Sequence, residues 1–138
     1  MRVVIVGCGR VGAHIASALD RRGDDVTIID INPNAFTRLD EDFSGLAIRG
    51  TGIDEDVLRS ANITSADAFL AVTNRDNTNL MATQVARVVF GVPTVAARVY
   101  DPVRAEIFAN LGIITICPTT TISNLLLDAL ETPPARRS

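Results

Sequence analysis

Val3-Val4-Ile5-Val6-Gly7-Cys8-Gly9-Arg10-Val11-Gly12 stands almost at the start of the chain, and its reading decides the fold. An apolar run feeds a Gly-x-Gly-x-x-Gly, after which Val11, Ile15 and Leu19 recur at helical spacing. Strand, glycines and helix in that order form the dinucleotide-binding fingerprint of a βαβ unit. Gly7 permits the tight turn out of the strand. Gly9 removes a side chain where a pyrophosphate approaches the backbone, and Gly12 lets the helix pack closely on the sheet. The helix N-terminus offers free N–H groups and a partial positive charge to phosphates.

The next apolar run, Val26-Thr27-Ile28-Ile29, ends in Asp30, roughly 20 residues past the glycines, where a carboxylate holds the ribose hydroxyls. Such a carboxylate accepts from a 2′-OH and repels a 2′-phosphate. That favours NAD, or an adenosine nucleotide such as ATP or ADP, over NADP. The alternative is that Asp30 only caps the turn before Asn32-Pro33.

Farther along, short apolar runs alternate with helix-length segments, the rhythm of a parallel sheet with helices on both faces. Strands are expected at Arg2–Val6, Asp25–Asp30, Leu46–Arg49, Ala68–Val72, Thr94–Val99 and Ile113–Cys117. Helices are expected from Arg10 to the Arg21-Arg22-Gly23 stop, from Pro33 to about Asp42, and from an Asp54 cap through Val57 and Leu58. Three more are expected at Asp76–Phe90, from Asp101-Pro102 to near Gly112, and from about Thr121 to Leu130. This pattern predicts an α/β fold, a doubly wound parallel six-stranded sheet of Rossmann type in the order 3-2-1-4-5-6, with a C-terminal crossover helix. The domain is expected over 1–131. Residues 132–138, Thr132-Pro133-Pro134-Ala135-Arg136-Arg137-Ser138, are read as a frayed tail or a linker to a further C-terminal domain.

Composition bounds the partners. The chain has 138 residues, 47% of them hydrophobic, which suits one domain with a sheet buried on both faces. A net charge of −3 argues against nucleic acid, which asks for a basic patch. No apolar run reaches the ~18–20 residues of a membrane span, so no direct membrane insertion is expected. The first strand begins so early that no signal peptide is expected. Cys8 and Cys117 lie in different units, with no C-x-x-C, which reads as a reducing cytosol. Cys8 is either a thiol acidified at the helix start or a small filler, the filler being the commoner case.

The last helix carries Ile122, Leu125, Leu126, Leu127, Ala129 and Leu130, more than the single stripe a surface helix needs. The surplus predicts burial against another protomer. Leu80, Met81, Val85, Val88 and Val89 form a weaker set, expected to be mostly core.

Ligands of such sheets sit at the carboxyl ends of the strands, where the strand order reverses. The residues expected there are Gly7, Cys8, Gly9, Arg10, Val11 and Gly12 after the first strand, and Asp30, Ile31 and Asn32 after the second. Gly50, Thr51 and Gly52 follow the third, Thr73, Asn74 and Arg75 the fourth, and Arg98 lies near the end of the fifth. Arg10 and Arg98 are candidates for bidentate phosphate contacts. Arg10 is otherwise an exposed first-turn residue, and Arg98 otherwise pairs with an acid such as Glu106. No His/Cys cluster has metal-ligand spacing, so no metal is expected.

Beyond the glycines, the chain carries Gly50…Asp54-x-x-Val57-Leu58, Ala66-Asp67-Ala68, Ala71-Val72-Thr73, Asp76-x-x-Asn79-Leu80, Phe90-Gly91-Val92-Pro93, Ala97-Arg98-Val99 and Leu111-Gly112. With these it closely resembles the N-terminal domain of the regulators of potassium conductance: the Trk/Ktr-type potassium-uptake subunits and the gating domains of related channels. The resemblance runs nearly to Leu130. It implies a cytosolic regulatory module, not a catalyst, that binds NAD(H) or ATP/ADP and assembles into homodimers or larger rings. The bound nucleotide would shift the ring between shapes and so gate an integral-membrane potassium transporter subunit, through which the module sits at the inner face of the cell membrane. The nucleotide contacts it implies are Gly7, Gly9, Arg10, Gly12, Asp30, Thr73 and Arg98, and the last helix, with Ile122, Leu125, Leu126 and Leu130, corresponds to the crossover helix that makes dimers. Two positions depart from the family pattern. Thr51 stands where Gly-Asp is usual, which implies altered recognition of the base. Ala109 stands where some ATP-binding members carry an acid for a cation.

The competing reading is the cofactor-binding half of an NAD-dependent oxidoreductase. Hydride transfer asks for an acid or base near the nicotinamide. The single histidine, His14, falls inside the first helix; the single tyrosine is Tyr100; and there is no lysine for a Tyr-x-x-x-Lys.

Overall fold

The computed structural model describes residues 1–132. Strand β1 (Arg2–Val6) shows why a parallel sheet forms here: after Arg2 every side chain is apolar and buried. Val3 and Ile5 enter one core with Ala13, Ala16 and Ile28, while Val4 and Val6 enter the opposite core with Leu58, Phe69 and Leu80. A strand covered on both faces needs this continuous run, not alternation.

The other strands are β2 (Asp25–Asp30), β3 (Leu46–Arg49), β4 (Ala68–Ala71), β5 (Thr94–Arg98) and β6 (Ile114–Ile116). All pair in parallel, in the order β3-β2-β1-β4-β5-β6, as the sequence predicts. β1 is central, with Val3 opposite Val26 on one side and Ala68 on the other. The chain leaves β1 toward β2 and β3, then crosses back to β4. The connections at the carboxyl ends of β1 and β4 therefore diverge and leave a crevice.

The helices are α1 (Arg10–Arg21), α2 (Glu55–Ser60), α3 (Asp76–Gln84), α4 (Pro102–Ala109) and α5 (Pro118–Glu131). Asp54 caps α2 through the Asp56 and Val57 amides, and Asp101 caps α4 through that of Val103. Short 3-10 turns cover Pro33–Arg38 and Ile63–Ser65.

Several boundaries differ from expectation. The helix expected from Pro33 to about Asp42 is only the 3-10 turn Pro33–Arg38. Leu39 turns extended, and the next residue is drawn to α1: the Asp40 amide donates to Ser17 Oγ and its carboxylate pairs with Arg21. The helix expected over Asp76–Phe90 is α-helical only to Gln84, and then widens into a π-turn at Val85–Val89. β-branched Val85, Val88 and Val89 crowd a tight helical turn, and Arg87 bonds across to the Gly112 carbonyl. The wide turn leaves Val88 and Val89 exposed, as Met81 is, so this set is less buried than expected. α5 starts at Pro118, ahead of Thr121. None of its residues is buried; Ile122, Leu125, Leu126, Leu127 and Leu130 all face solvent. The tail expected over 132–138 lies, past Thr132, outside the described residues.

Candidate functional site

At the carboxyl ends of the central strands lies a crevice of about 500 Å³. Its floor is the glycine loop. Gly7 takes φ +108°, a conformation that side chains rarely adopt, and an added Cβ would stand 2.9 Å from the Thr73 nitrogen. Gly9 has open space where its side chain would be, which is where a ligand can approach the backbone. Gly12 plays another part: its Cβ would overlap the Gly7 carbonyl oxygen, so it is the glycine that seats α1 on the loop. Gly50 and Gly52 are likewise closed in, against Val57 and Val6.

Asp30 ties the loop to β2. Its Oδ2 accepts the Cys8 N–H at 2.8 Å and its Oδ1 the Asn32 N–H at 2.8 Å. A carboxylate offers about four lone-pair sites, so two remain for hydroxyls of a ligand. The turn-capping role and the ligand role are therefore compatible. The thiol of Cys8 is buried and bonds to the Ala35 carbonyl. Burial, reinforced by the Asp30 charge, pushes this thiol up, which corrects the idea of an acidified cysteine and leaves the small filler.

The opposite wall comes from the end of β4. Asn79, fully buried on α3, spends its whole amide there. Its Oδ1 accepts from the Thr73 N–H at 2.9 Å and the Thr73 hydroxyl at 2.6 Å, and its Nδ2 donates to the Thr73 and Arg98 carbonyls at 2.9 and 2.8 Å. Arg98 closes the same loop, donating from Nη2 to the Val72 and Thr73 carbonyls at 2.6 and 3.0 Å, and lies over the Tyr100 ring. The pairing of Arg98 with Glu106 is not formed among the described residues; its guanidinium reaches backbone oxygens instead.

Of the expected residues, Gly7, Cys8, Gly9, Asp30, Ile31, Asn32, Gly50, Thr51, Gly52, Thr73, Asn74, Arg75 and Arg98 line the crevice. Arg10, Val11 and Gly12 do not. Arg10 lines a neighbouring depression with His14, Val11 is exposed, and Gly12 is buried beneath the loop. His14 is thus outside the crevice and exposed, not placed for proton exchange with a ligand there. Sequence reasoning missed Arg38, Ile53 and Thr78, which also line it. Arg38 was hidden in the expected second helix.

The electrostatics follow from the lining: Arg38, Arg75 and Arg98 face one carboxylate, Asp30. An anionic ligand is favoured. Exposed Ile31 and Ile53 beside it offer apolar contact to a flat base. No group of three or more metal-binding side chains occurs among the described residues. No helix among them is long and apolar enough to cross a membrane.

Comparison with known proteins gives one family. The sequence matches the TrkA-N domain over residues 3–118. It is 47% identical over 130 residues to the Trk system potassium uptake protein TrkA of Streptomyces coelicolor, covering 94% of this chain and 58% of that one. A TrkA homolog from Pyrococcus abyssi is 34% identical over 139 residues, covering 96% of this chain and 61% of that one. The chain thus spans about 60% of the length of these relatives, which are named for potassium uptake, not for hydride transfer. Among solved structures, the TrkA-N domain of the Escherichia coli inner membrane protein ybaL superposes with a TM-score of 0.83 at 17% identity, covering 94% and 96% of the two chains. The GsuK RCK domain does so at 0.76 and 25% identity, covering 94% and 28%. The GsuK channel bound to NAD (0.70, 19% identity, 83% and 21% covered) and GsuK bound to ADP (0.71, 19%, 86% and 31%) share the fold.

Proposed function

The chain belongs to the TrkA-N domain family, and from that premise we propose that it is the nucleotide-sensing regulatory unit of a Trk-type potassium-uptake system. The observation that carries the reading is the crevice itself: an open approach at Gly9, Asp30 with spare acceptor sites, and three guanidiniums around them. NAD(H) and ATP/ADP both present what it takes, a ribose with free hydroxyls joined to phosphates.

Two copies of the chain pair through α5, whose Ile122, Leu125, Leu126 and Leu130 are otherwise bare to solvent. The paired unit sits at the cytoplasmic face of the membrane by holding an integral-membrane potassium transporter subunit. A nucleotide biases that partner only by binding one arrangement of the assembly better than another.

The test is calorimetric titration with NADH, NAD+, ATP and ADP, with the mass in solution measured with and without each ligand. Binding that differs within a pair, in a dimer or larger assembly whose mass or shape responds, is expected. Equal affinity for all four with no change in assembly refutes the proposal. NAD(H) binding by a monomer blind to ATP and ADP points instead to a detached oxidoreductase cofactor domain.

A further inference from the structure

We propose that the depression beside the crevice, lined by Arg10, His14 and Arg38, is a second anion subsite that takes a phosphomonoester. The depression measures about 410 Å³. One wall is a single face of α1, where Arg10, Ala13, His14 and Ser17 follow at helical spacing; the other is the turn carrying Arg38. Among the described residues its one carboxylate, Asp40, pairs with Arg21, and Ser17 Oγ accepts from the Asp40 amide. Arg10 and Arg38 have no carboxylate partner among the described residues. Two guanidiniums outside any ion pair and an imidazole around one hollow form the donor set that a phosphate dianion satisfies, bidentate contacts included.

Arg38 joins the two hollows. It lines both, and its Nη1 lies 3.4 Å from the Cys8 carbonyl, while the N–H of the same residue is held by Asp30. The guanidinium and the carboxylate assigned to the ribose thus both meet Cys8, one at its carbonyl and the other at its amide. Asp30 alone would reject a phosphate on that sugar. Here both its oxygens already accept an amide, and Arg38 offers the compensating charge. A phosphate on the ribose, as in NADP(H), is in reach of the subsite; so is a free phosphate. For the ribose source the inference rests on the nucleotide reading above, and for the free anion it does not.

The experiment titrates the chain with NAD+ and NADP+ and, separately, follows thermal stabilisation by inorganic phosphate. Both are repeated in Arg38→Gln, Arg38→Lys and Arg10→Gln. The readout is the NADP+/NAD+ affinity ratio, which cancels any general effect of a substitution on folding or on the crevice. Arrival on the ribose gives NADP+ binding within about threefold of NAD+, a ratio that falls at least tenfold in Arg38→Gln, and a smaller fall in Arg38→Lys. Arrival as a free anion gives a phosphate-dependent rise in Tm that Arg38→Gln and Arg10→Gln each diminish, with NADP+ discriminated against. NADP+ more than about thirtyfold weaker than NAD+, with no arginine-dependent effect of phosphate, overturns the proposal. Should no dinucleotide bind, the nucleotide reading fails, and the phosphate arm decides the subsite: a rise lost in the variants supports it, and none refutes it.

Discussion

Replacing Asn79 by leucine keeps the side chain's bulk and removes its hydrogen bonds. The native amide acts as an extra rung between the ends of β4 and β5, since it holds both polar groups of the Thr73 backbone and the carbonyl of Arg98. In Asn79→Leu the Thr73 carbonyl keeps the Arg98 guanidinium and the Thr73 hydroxyl keeps the Arg75 carbonyl, so the losses fall on the Thr73 N–H and the Arg98 carbonyl. A buried polar group left without its partner costs about 1–3 kcal/mol. Thr73 is half-buried beside an open crevice, where water relieves part of that, so the lower half of the range applies to each. The expected destabilisation is about 2–4 kcal/mol, a large share of the ~5–15 kcal/mol of a typical domain. Urea unfolding followed by circular dichroism measures it, with an unchanged m-value certifying that the same surface unfolds. Because Thr73 lines the crevice, nucleotide affinity should fall in parallel. A loss under about 1 kcal/mol would show that the end of β4 is held by Arg98 alone and that the rung carries little.

Two further outcomes follow from the loop. Gly12→Ala forces a methyl group into the Gly7 carbonyl, so α1 must lift; the expected cost is about 2–4 kcal/mol in an unfolding titration, whereas Gly9→Ala, whose added methyl meets only open space, should leave stability nearly unchanged and weaken nucleotide binding by obstructing the ligand's approach. Cys8, its thiol pushed up by burial and by Asp30, should resist alkylation at pH 8 in the folded chain and react at once in urea. The sign for stability is set by the same shift. The folded state keeps its thiol proton where the unfolded chain has lost it, so the contribution is full below the ordinary thiol pKa and declines as pH rises through the folded one. A Cys8→Ala variant should flatten the alkaline part of the stability curve.

The central strands Arg2–Val6 and Asp25–Asp30 were legible residue by residue because an apolar run buried on both faces is a demand written locally; Leu46–Arg49 also appears as read, although this edge strand is largely exposed. The glycine triplet and Asp30 were legible because their spacing is the chemistry. What escaped was set by contacts from distant parts of the chain. The 3-10 turn stops short because Ser17 and Arg21 capture Asp40, and this shortened turn brings Arg38 to the crevice. The π-turn answers to Arg87 and Gly112, from another loop. Asn79 carried a faint signal, an amide beside Leu80 on the inward face of an expected helix. Its partners, Thr73 and Arg98, meet only once β4 and β5 lie side by side.

α5 spans 14 residues and buries none of them. A helix of that length holds together only marginally in water, and most short helices owe their order to a covered apolar face. In the proposed pairing a second copy covers it, and the coil-to-helix transition of α5 and its association would then be one equilibrium. Dilution then acts on this element as denaturant acts on the others. Ellipticity at 222 nm should decline as the protein is diluted while the sheet stays intact, and the amides of α5 should exchange with solvent at a rate set by protein concentration.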